Sequence, residues 1–302
     1  MISICVPIYN CNVDLLAADL LTQIEALSEK AELILIDDCS DRYFQEHNKH
    51  QGDKKNVSYI QLKENIGRAA IRNLFLKHAK YNHLLFLDCD ALVVDSNFIQ
   101  NYLKGIVQNP MAVICGGRVY PQEKVNRSRR LRWKYGINRE QKSAAERRKN
   151  PYASFMTNNF IVPKKTLDSI QFDEQLKGYG HEDTLFGFEL KKSAIEIKHI
   201  ENAILNGEIE SNADYLRNTV NAIQNLCVIL DTKDYNRELI QDISLLRLYF
   251  KIQYLKYFIA AAYYILKPFI RWTLLNGWVN LYLFDFYKLG FLNKTLMGKE
   301  GL

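Results

Sequence analysis

The sequence lacks the cysteine spacings, internal repeats and low-complexity segments that would identify several protein classes at once. Its six cysteines include no C-x-x-C pair, and most lie in or beside apolar runs. This is typical of reduced core residues in a cytosolic protein and argues against a zinc cluster. The chain opens MISICVPIYN, which predicts a strand with no basic leader, so we expect no signal peptide. Hydrophobic residues make up 48% of the 302 residues, enough for a substantial core, which makes disorder a poor interpretation.

Positive charge is concentrated in one segment. Residues 124–149 contain eleven Lys/Arg and two Glu, and the block RSRRLRWK within them suits phosphates, acidic lipid or nucleic acid. A solvated, mobile loop explains the same composition. Aromatic residues are sparse in this segment, so base stacking on a nucleic acid has little support.

Short apolar runs alternate with helical patterns over the first 120 residues. The predicted strands are 2–8, 33–37, 57–62, 84–88 and 112–117, followed later by 155–163 and 195–200. Apolar residues at helical spacing predict helices over 14–30 and 68–79. The alternation indicates an α/β protein with a mostly parallel, twisted sheet covered on both faces. Ligands bind such sheets beyond the carboxyl ends of the strands.

Two aspartates follow one buried strand in LFLDCDALV. Alternate side chains of an extended chain point the same way, so Asp88 and Asp90 can converge on one cation. Carboxylates are the ligands of hard divalent ions such as Mg²⁺ and Mn²⁺. The start of an ordinary loop is the alternative. The apolar residues 84–87 favour the metal interpretation, because they bury the strand that directs both acids.

Two further clusters contain groups that bind nucleotides. IDDCSD places Asp37 and Asp38 at the end of a strand, where a carboxylate can accept hydrogen bonds from a nucleobase or ribose, although acids are also common in turns. In KENIGRAAIRN, Gly67 allows a tight turn into a helix on which Arg68 and Arg72 share one face. A helix start with arginines suits a diphosphate, but exposed arginines on helices are commonplace.

The stretch GYGHEDTLFGFEL, which begins at Gly178, places three titratable side chains in a row. His181, Glu182 and Asp183 are compatible with a metal site, a proton acceptor or the polar start of a helix. An H-E-x-x-H metalloprotease pattern is excluded, because position 185 is Leu.

Six stretches in this order and spacing, PIYN, IDDCSD, NIGRAAIRN, LDCD, TNNFIVP and GYGHEDTLFG, resemble glycosyltransferase family 2. A D-x-D pair alone is unspecific, whereas the whole series, over residues 1–210, is highly specific. The resemblance implies the GT-A fold, a Rossmann-like, mostly parallel sheet with helices on both faces. We expect it in a domain of residues 1–212, with a nucleotide-sugar-binding half (1–117) and an acceptor half (118–212). A C-terminal helical region is predicted over 213–302.

The resemblance also implies a mechanism, in which a sugar is transferred with inversion by direct displacement from a nucleotide. Asp88 and Asp90 match the motif that holds the family's divalent cation, Mn²⁺ or Mg²⁺. Asp183 matches the family's base, which deprotonates the acceptor hydroxyl, and Glu182 matches an acid that bonds acceptor hydroxyls. Asn206 stands where relatives often carry a histidine near the metal, and asparagine is a weaker ligand.

Other positions match binding residues of the family. The implied nucleotide-binding residues are Pro7, Tyr9, Asp37, Asp38, Arg68, Arg72 and Asp88. The implied donor- or acceptor-binding residues are Asn159, Tyr179, His181 and Glu182. His181 and His199 could substitute for residue 206 at the metal, the alternative being a structural role, which is more common for a histidine beside apolar residues.

The C-terminal segment is apolar, aromatic and basic. Residues 258–266 are apolar, Lys267-Pro268 interrupts this run, and WTLLNGWVNLYLF follows from Trp272. Neither run reaches the roughly 20 residues that a spanning helix needs. Residues 240–302 contain eight Lys/Arg and three Asp/Glu. This predicts an interfacial helix pair on acidic lipid, the alternative being a helical cap on the core or on a second subunit.

The resemblance, together with these features, implies a glycosyltransferase of the hexosyltransferase type that moves a sugar from a nucleotide donor to a glycan or lipid-linked glycan. The family's usual donor is a UDP-sugar. We place the enzyme in bacterial cell-surface polysaccharide synthesis, in the cytoplasm and peripherally on the inner face of the membrane, with no nucleic-acid partner. One alternative is a sugar-nucleotide nucleotidyltransferase, which requires a Gly-rich, basic phosphate loop that PIYNCN lacks. The other is a non-catalytic membrane or nucleic-acid binder that uses the segment 124–149.

Overall fold

The computed structural model describes residues 1–176, 178–231 and 237–300, without the side chain of residue 300. The chain forms two compact units. Unit 1 comprises Met1–Tyr120, Glu140–Lys177 and Glu182–Glu208, and unit 2 comprises Pro121–Arg139, Gly178–His181 and Ile209–Leu302. The predicted domain boundary at 212 stays a prediction. Residues 232–236 and 301–302 of the predicted C-terminal region lie outside the described residues.

Unit 1 is built on two β-sheets. The strands are β1 (Ile2–Ile8), β2 (Ala31–Asp37), β3 (Val57–Gln61), β4 (His83–Leu87), β5 (Ala91–Val93), β6 (Val113–Cys115), β7 (Arg118–Val119), β8 (Asn159–Pro163), β9 (Ile197–His199) and β10 (Ile204–Asn206). The large sheet has the order β3-β2-β1-β4-β8-β6-β9, and β8 runs antiparallel to both of its neighbours. The small sheet has the order β5-β10-β7. The predicted mostly parallel sheet is therefore confirmed.

Helices of unit 1 cover both faces of the large sheet. The helices of both units, in chain order, are α1 (Asp14–Glu25), α2 (Arg42–Asn48), α3 (Arg68–His78), α4 (Phe98–Gln108), α5 (Arg130–Tyr135), α6 (Ala144–Arg148), α7 (Lys164–Ser169), α8 (Glu182–Lys192), α9 (Asn212–Asp231), α10 (Arg237–Asp242), α11 (Ser244–Ile252), α12 (Lys256–Leu275) and α13 (Leu281–Glu300). Leu20 of α1 and Tyr102 of α4 belong to one core, and Phe75 of α3 and Phe186 of α8 belong to another. Because the central strands of the large sheet are buried on both faces, their sequences are continuous apolar runs.

Asp38 fixes the point at which α3 begins. Its Oδ1 accepts a hydrogen bond from the backbone N–H of Ile66 (2.7 Å) and its Oδ2 accepts one from that of Gly67 (3.0 Å). Gly67 has a φ of +85°, a conformation that favours glycine. Further along α3, Asn73 exchanges two 2.9 Å hydrogen bonds with the backbone of Phe172. These contacts hold the arginine-bearing face of α3 at the carboxyl end of the sheet.

The six cysteines are free thiols. Cys5, Cys115 and Cys227 are buried, and the other three are partly exposed. Burial raises the pKa of the Cys115 thiol to about 12, which keeps it protonated at neutral pH. The prediction that the cysteines are core residues therefore holds for three of them.

The basic segment 124–149 is folded, so the mobile-loop alternative is wrong. It contains α5 and α6, and Ser143 begins α6 with a capping box closed by Glu146. Arg147 is 2% exposed and donates hydrogen bonds to three backbone carbonyl oxygens at 2.8–3.1 Å. The guanidinium of Arg132 lies 5.0 Å from the ring centroid of Tyr215. These two arginines stabilise the fold, and their charge is not presented to a nucleic acid.

Unit 2 has a helical core that α5, α9, α12 and α13 share. Its buried members are Leu131, Tyr215, Leu216, Tyr263, Ile270, Leu274, Phe284 and Tyr287. Helix α12 continues through Pro268, so the apolar run 258–266 and the start of the run at Trp272 lie in one helix. Within the described residues, the helical stretch Ser244–Leu275 could cross a membrane as judged by its length and composition alone. In its most apolar part, 28% of the residues are buried. The expectation of two runs that are both too short does not hold.

We predict that Gly290→Ala destabilises unit 2. An added Cβ at Gly290 of α13 would lie 2.3 Å from Cδ2 of Tyr263 on α12. Overpacking of this kind costs about 1–3 kcal/mol, more than the ~1 kcal/mol that alanine gains over glycine in a helix. The matched control is Gly298→Ala in the same helix, where no atom lies within 4 Å and the substitution should be neutral or stabilising. Urea unfolding of both variants checks this, and equal stabilisation by both would contradict the close packing.

Candidate active site

Charged side chains from two helix starts, one strand end and the small sheet gather at the carboxyl end of the large sheet. They are Arg68, Arg72, Asp88, Asp90, Arg118, Glu182 and Asp183. Asp88 directly follows β4, and its Oδ1 accepts a hydrogen bond from Nη2 of the buried Arg72 at 3.2 Å. Its Oδ2 lies 3.8 Å from Nη2 of Arg118, the first residue of β7. Asp88 is thus placed between two guanidinium groups.

Asp90 occupies a less favourable electrostatic environment. Burial and then the charge of Asp88 raise its pKa to about 6, while Arg118 and Arg68 act in the opposite direction. The backbone N–H of Gly207 donates to the carbonyl of Asp90 at 3.0 Å, and a Cβ at position 207 would lie 2.6 Å from that oxygen. The small sheet therefore fixes the turn that carries both aspartates.

The Asp88–Asp90 pair fits a hard divalent cation. Both residues supply carboxylate oxygens, and a cation relieves the mutual repulsion that helps to raise the pKa of Asp90. Across residues 1–176, 178–231 and 237–300, His, Cys, Asp and Glu side chains form no metal-binding group of three or more. A cation bound by this pair would complete its shell with water and phosphate oxygens, as Mg²⁺ commonly does.

Glu182 begins α8 and is the second acidic neighbour of Arg72. Its Oε1 lies 3.9 Å from Nη1 of Arg72 and 3.7 Å from Nη1 of the half-exposed Arg68. The Arg72 guanidinium also lies 5.8 Å from the ring centroid of Phe172. Arg72 therefore joins the end of β4 to the start of α8, and the prediction that the H-E-D stretch begins a helix is confirmed from Glu182 onward.

Asp183 combines partial burial with a neighbouring acid. Desolvation and then the charge of Glu182 raise its pKa to about 6, against hydrogen bonds from Thr184 and the charge of Arg72. Its Oδ1 accepts from the backbone N–H of Thr184 at 2.7 Å and from the Thr184 hydroxyl at 3.2 Å. A carboxylate with such a pKa is ionised at neutral pH and is a stronger base than an ordinary aspartate.

The predicted nucleotide-binding residues at the first two strands lie close together. Pro7 is in β1 beyond the residues that pair with β4, so its missing N–H removes no ladder hydrogen bond on that side. Tyr9 follows β1 and is 56% exposed. Asp37 is buried, and it accepts hydrogen bonds from the backbone of Ser40 (2.7 Å) and the hydroxyl of Tyr59 (3.1 Å). Asp37 and Asp38 both hold loops, and their contact with a nucleotide stays a prediction.

Asn159 is directed into the protein. Its Oδ1 accepts from the Tyr102 hydroxyl at 2.6 Å, and its Nδ2 donates to the carbonyls of Gly117 and Asn202, each at 2.8 Å. With 1% exposure, it connects β8 to α4 and to the chain beside β6. Asn206 is the last residue of β10 and pairs with Ala91, the residue that follows Asp90. Its predicted position beside the aspartate pair agrees with this register, and a role in metal binding stays a prediction.

Tyr179 and His181 belong to unit 2. The side-chain amide of Asn225 on α9 donates to the carbonyls of Tyr179 (3.4 Å) and Gly180 (3.1 Å). His181 has a φ of +70°, and its predicted role at a ligand stays a prediction. His199 is structural and buried: its Nδ1 accepts a hydrogen bond from Nη1 of Arg147 at 3.1 Å, and its Nε2 donates to the carbonyl of Pro151 at 2.9 Å. Burial lowers the pKa of His199 to about 4.

Sequence reasoning missed Arg118 and Glu140. Nη1 of Arg118 donates to Oε2 of Glu140 at 3.2 Å and to the hydroxyl of Tyr120 at the same distance. This network aims Arg118 at Asp88. A signal was present, since Arg118 directly follows the predicted strand 112–117, at the same sheet edge as the aspartates. Glu140 had no such signal, because it lies in the basic segment that the sequence does not connect to this edge.

We predict that Asp183→Asn stabilises the protein above pH 6. The raised pKa means that the native state disfavours the ionised carboxylate, so stability falls as the pH rises from about 4 to about 6. Asparagine removes this penalty of about 1–3 kcal/mol, and the gain should disappear near pH 4. Thermal unfolding at pH 4 and pH 8 measures it. Glu182→Gln, which removes a partner of the buried Arg72, should instead lower the melting temperature at pH 8; a gain from Asp183→Asn at both pH values would contradict the linkage.

Comparison with known proteins identifies relatives of this chain. The sequence profile described as Glycosyl transferase family 2 matches residues 3–167. A chondroitin synthase of Escherichia coli is 25% identical over 203 residues, which are 57% of this chain and 29% of that protein. The chain thus spans less than a third of the length of this curated relative.

Solved structures share the fold. The mannosyltransferase PcManGT from Pyrobaculum calidifontis, in complex with GDP-Man and Mn²⁺, is similar over 97% of this chain and 87% of its own, with a TM-score of 0.57 and 13% identity. TarS 1–349 from S. aureus, in complex with UDP-GlcNAc, is similar over 99% and 92%, with a TM-score of 0.51 and 19% identity. The predicted GT-A fold is confirmed. Because the family profile covers more than half of the chain, this protein belongs to glycosyl transferase family 2, and the prediction of a glycosyltransferase is confirmed.

Proposed function

We propose that this glycosyltransferase moves a sugar from a UDP-sugar to a hydroxyl of a glycan or lipid-linked glycan, with inversion, in bacterial cell-surface polysaccharide synthesis. The observation that carries the proposal is the joining of two acidic pairs, Asp88 with Asp90 and Glu182 with Asp183, around the buried Arg72. One pair fits a cation and the other contains a base. These are the two groups that displacement of a nucleotide by a hydroxyl requires.

The donor diphosphate would lie against the arginines and the aspartate pair. Arg68 is about half exposed at the start of α3, where backbone N–H groups and a guanidinium favour an anion. Asp88 and Asp90 would hold a divalent cation, which when bound supplies a Lewis acid that stabilises charge on the leaving diphosphate. In this assignment, Pro7, Tyr9 and Asp38 contact the nucleoside of the donor.

Acceptor activation is assigned to the start of α8. Asp183, with its raised pKa, takes the proton from the attacking hydroxyl, and Glu182 binds acceptor hydroxyls. Asn159 is not retained as a sugar ligand, because its amide is already bonded within the protein.

Named relatives support the choice of donor, acceptor and metal. One structural neighbour is a complex with UDP-GlcNAc, another contains GDP-Man and Mn²⁺, and the curated relative is a chondroitin synthase. A UDP-sugar, a manganese or magnesium ion and a growing polysaccharide are consistent with these three proteins. The family membership favours this function over a nucleotidyltransferase or a non-catalytic binder.

The first prediction tests the donor site. UDP should bind in the presence of Mn²⁺, and Asp88→Asn or Asp90→Asn should weaken that binding about tenfold or more, because each removes a carboxylate from the cation. Calorimetric titration of UDP with and without Mn²⁺ measures the effect. Asp19→Asn on α1 removes the same charge from an exposed position and should leave the affinity unchanged. Unchanged affinity in both site variants would exclude the metal assignment.

The second prediction tests the base. Asp183→Asn should leave UDP affinity nearly intact and lower turnover by about 10²–10⁴, the usual contribution of a general base. Wild-type turnover should fall as the pH drops through about 6, because Asp183 becomes protonated. Nucleotide release from a screened panel of UDP-sugars and glycan acceptors follows both quantities. If Asp183→Asn retains turnover while Glu182→Gln loses it, the two roles are exchanged.

Helix α12 supports contact with an acidic membrane. One side packs into the core of unit 2, yet exposed aromatic and aliphatic side chains cover the other. They are Tyr257, Phe258, Tyr264, Ile265, Phe269 and Trp272, each at least 58% exposed. Exposed apolar surface of this extent marks an interaction site. Lys251 and Arg271 are exposed on the same helical stretch, which suits lipid phosphates and a location on the cytoplasmic face of the cell membrane.

The third prediction tests this surface. The protein should sediment with anionic vesicles, and binding should weaken without vanishing as salt rises, because salt screens the lysines and arginines but not aromatic insertion. Phe258→Ala with Trp272→Ala should abolish the salt-resistant part. Tyr43→Ala, an equally exposed aromatic residue on α2, is the control. If neither the wild type nor the double variant binds vesicles, and the wild type forms a dimer that the double variant does not, the surface belongs to a second subunit.

A further inference from the structure

Asn158 has a buried side-chain amide next to the aspartate pair. It precedes β8, and its carbonyl accepts a hydrogen bond from the backbone N–H of Asp88 at 3.2 Å, which continues the β4–β8 ladder by one step. The residue is 3% exposed. Neither Oδ1 nor Nδ2 of its side chain has a hydrogen-bond partner in the part of the chain that the structure describes. Buried side-chain amides are almost always bonded, so this one requires an explanation.

The sheet register shows which way Asn158 points. Successive side chains of a strand alternate between faces, and residues paired across an antiparallel ladder share a face. Asn159 points towards Tyr102 of α4 on one face. Asn158 therefore lies on the opposite face together with its pairing partner Asp88, and Phe160, two residues on, stacks on Phe86 in the core that α3 and α8 cover. This is the face that carries Arg72 and Glu182.

A second polar atom on that face is also unpartnered. Nε of Arg72, in a side chain that is 3% exposed, has no hydrogen-bond partner among the described residues, although both of its terminal nitrogens are engaged. Two buried polar groups with unused bonding capacity thus flank Asp88. A polar ligand group that reached the neighbourhood of Asp88 would meet both of these groups.

The chemistry of an amide selects the ligand group. Nδ2 donates and Oδ1 accepts, so a single ligand group that satisfies both atoms must accept and donate, as a hydroxyl does. Phosphate oxygens at neutral pH only accept, and they would leave Oδ1 unsatisfied. We propose that Asn158 binds a hydroxyl group of the donor sugar, an inference that rests on the proposed function. The ribose and the donor sugar both carry hydroxyls beside the diphosphate that Asp88 would face. The ribose is assigned above to the side of Pro7, Tyr9 and Asp38, which leaves the donor sugar for Asn158.

The experiment compares UDP with UDP-sugars on the full chain in the presence of Mn²⁺. The probes are UDP, UDP-GlcNAc, UDP-glucose and UDP-galactose, each titrated calorimetrically. The sugar contribution is the ratio of the affinity for the preferred UDP-sugar to that for UDP. Asn158→Leu, similar in shape and apolar, should reduce this ratio about tenfold or more while the affinity for UDP is unchanged, because a buried hydroxyl loses its partner.

The melting temperature of the ligand-free protein distinguishes ligand binding by Asn158 from a purely structural role, which would make the Leu variant less stable. Asn158→Leu should raise the melting temperature, because it replaces an unsatisfied buried amide by an apolar group. Asn159→Leu, the matched control one residue along the strand, should lower it, because it breaks three hydrogen bonds.

The outcomes separate this inference from the proposed function. If the wild-type protein binds neither UDP nor any UDP-sugar, the proposed function fails and the inference fails with it. If the wild type prefers a UDP-sugar and Asn158→Leu keeps the whole ratio, the proposed function stands and the inference is overturned. A preference for UDP alone, a lowered melting temperature in Asn158→Leu, or a change confined to the affinity for the acceptor would also overturn it.

Discussion

The buried guanidinium of Arg72 is the constraint on which the candidate active site depends. With 3% of its side chain exposed, it lies 3.2 Å from Asp88 and 3.9 Å from Glu182. A buried cation without acidic partners is strongly destabilising, so the fold itself requires an acid at the end of β4 and another at the start of α8. Asn73, the next residue of α3, holds Phe172 beneath the guanidinium. The residues assigned to donor binding and to acceptor activation are therefore connected through one side chain.

The same arrangement explains why two acids have raised pKa values. Asp90 and Asp183 are each desolvated and each adjoin a second carboxylate, and both effects disfavour the charged form. Arg68, Arg72 and Arg118 offset part of this repulsion. What remains is unfavourable for stability and useful for chemistry, because a carboxylate that holds its charge poorly binds cations and protons more strongly. The site is a place where the protein sacrifices stability for reactivity.

Local patterns explain why so much of the fold was predictable. The strands of the large sheet are continuous apolar runs because helices cover both faces, and the start of α8 follows from a polar cluster ahead of an apolar helix. At Pro268 the local pattern and the structure differ. A proline commonly ends a helix, but packing of Tyr263 and Ile270 on either side of it keeps α12 continuous. Tertiary burial outweighed the local preference there.

The sequence by itself determined the family, the order of the elements and the acids at the strand and helix ends, because each is encoded in a short stretch of chain. Only the tertiary structure decided which polar side chains meet. Arg118 reaches Asp88 through a sheet of three strands that are distant in sequence. Asn158 and Asn159 are indistinguishable as letters, and the alternation of β8 directs one into the protein's own hydrogen bonds and the other towards the acids. Direction of a side chain depends on the register of neighbouring strands, which no single segment contains.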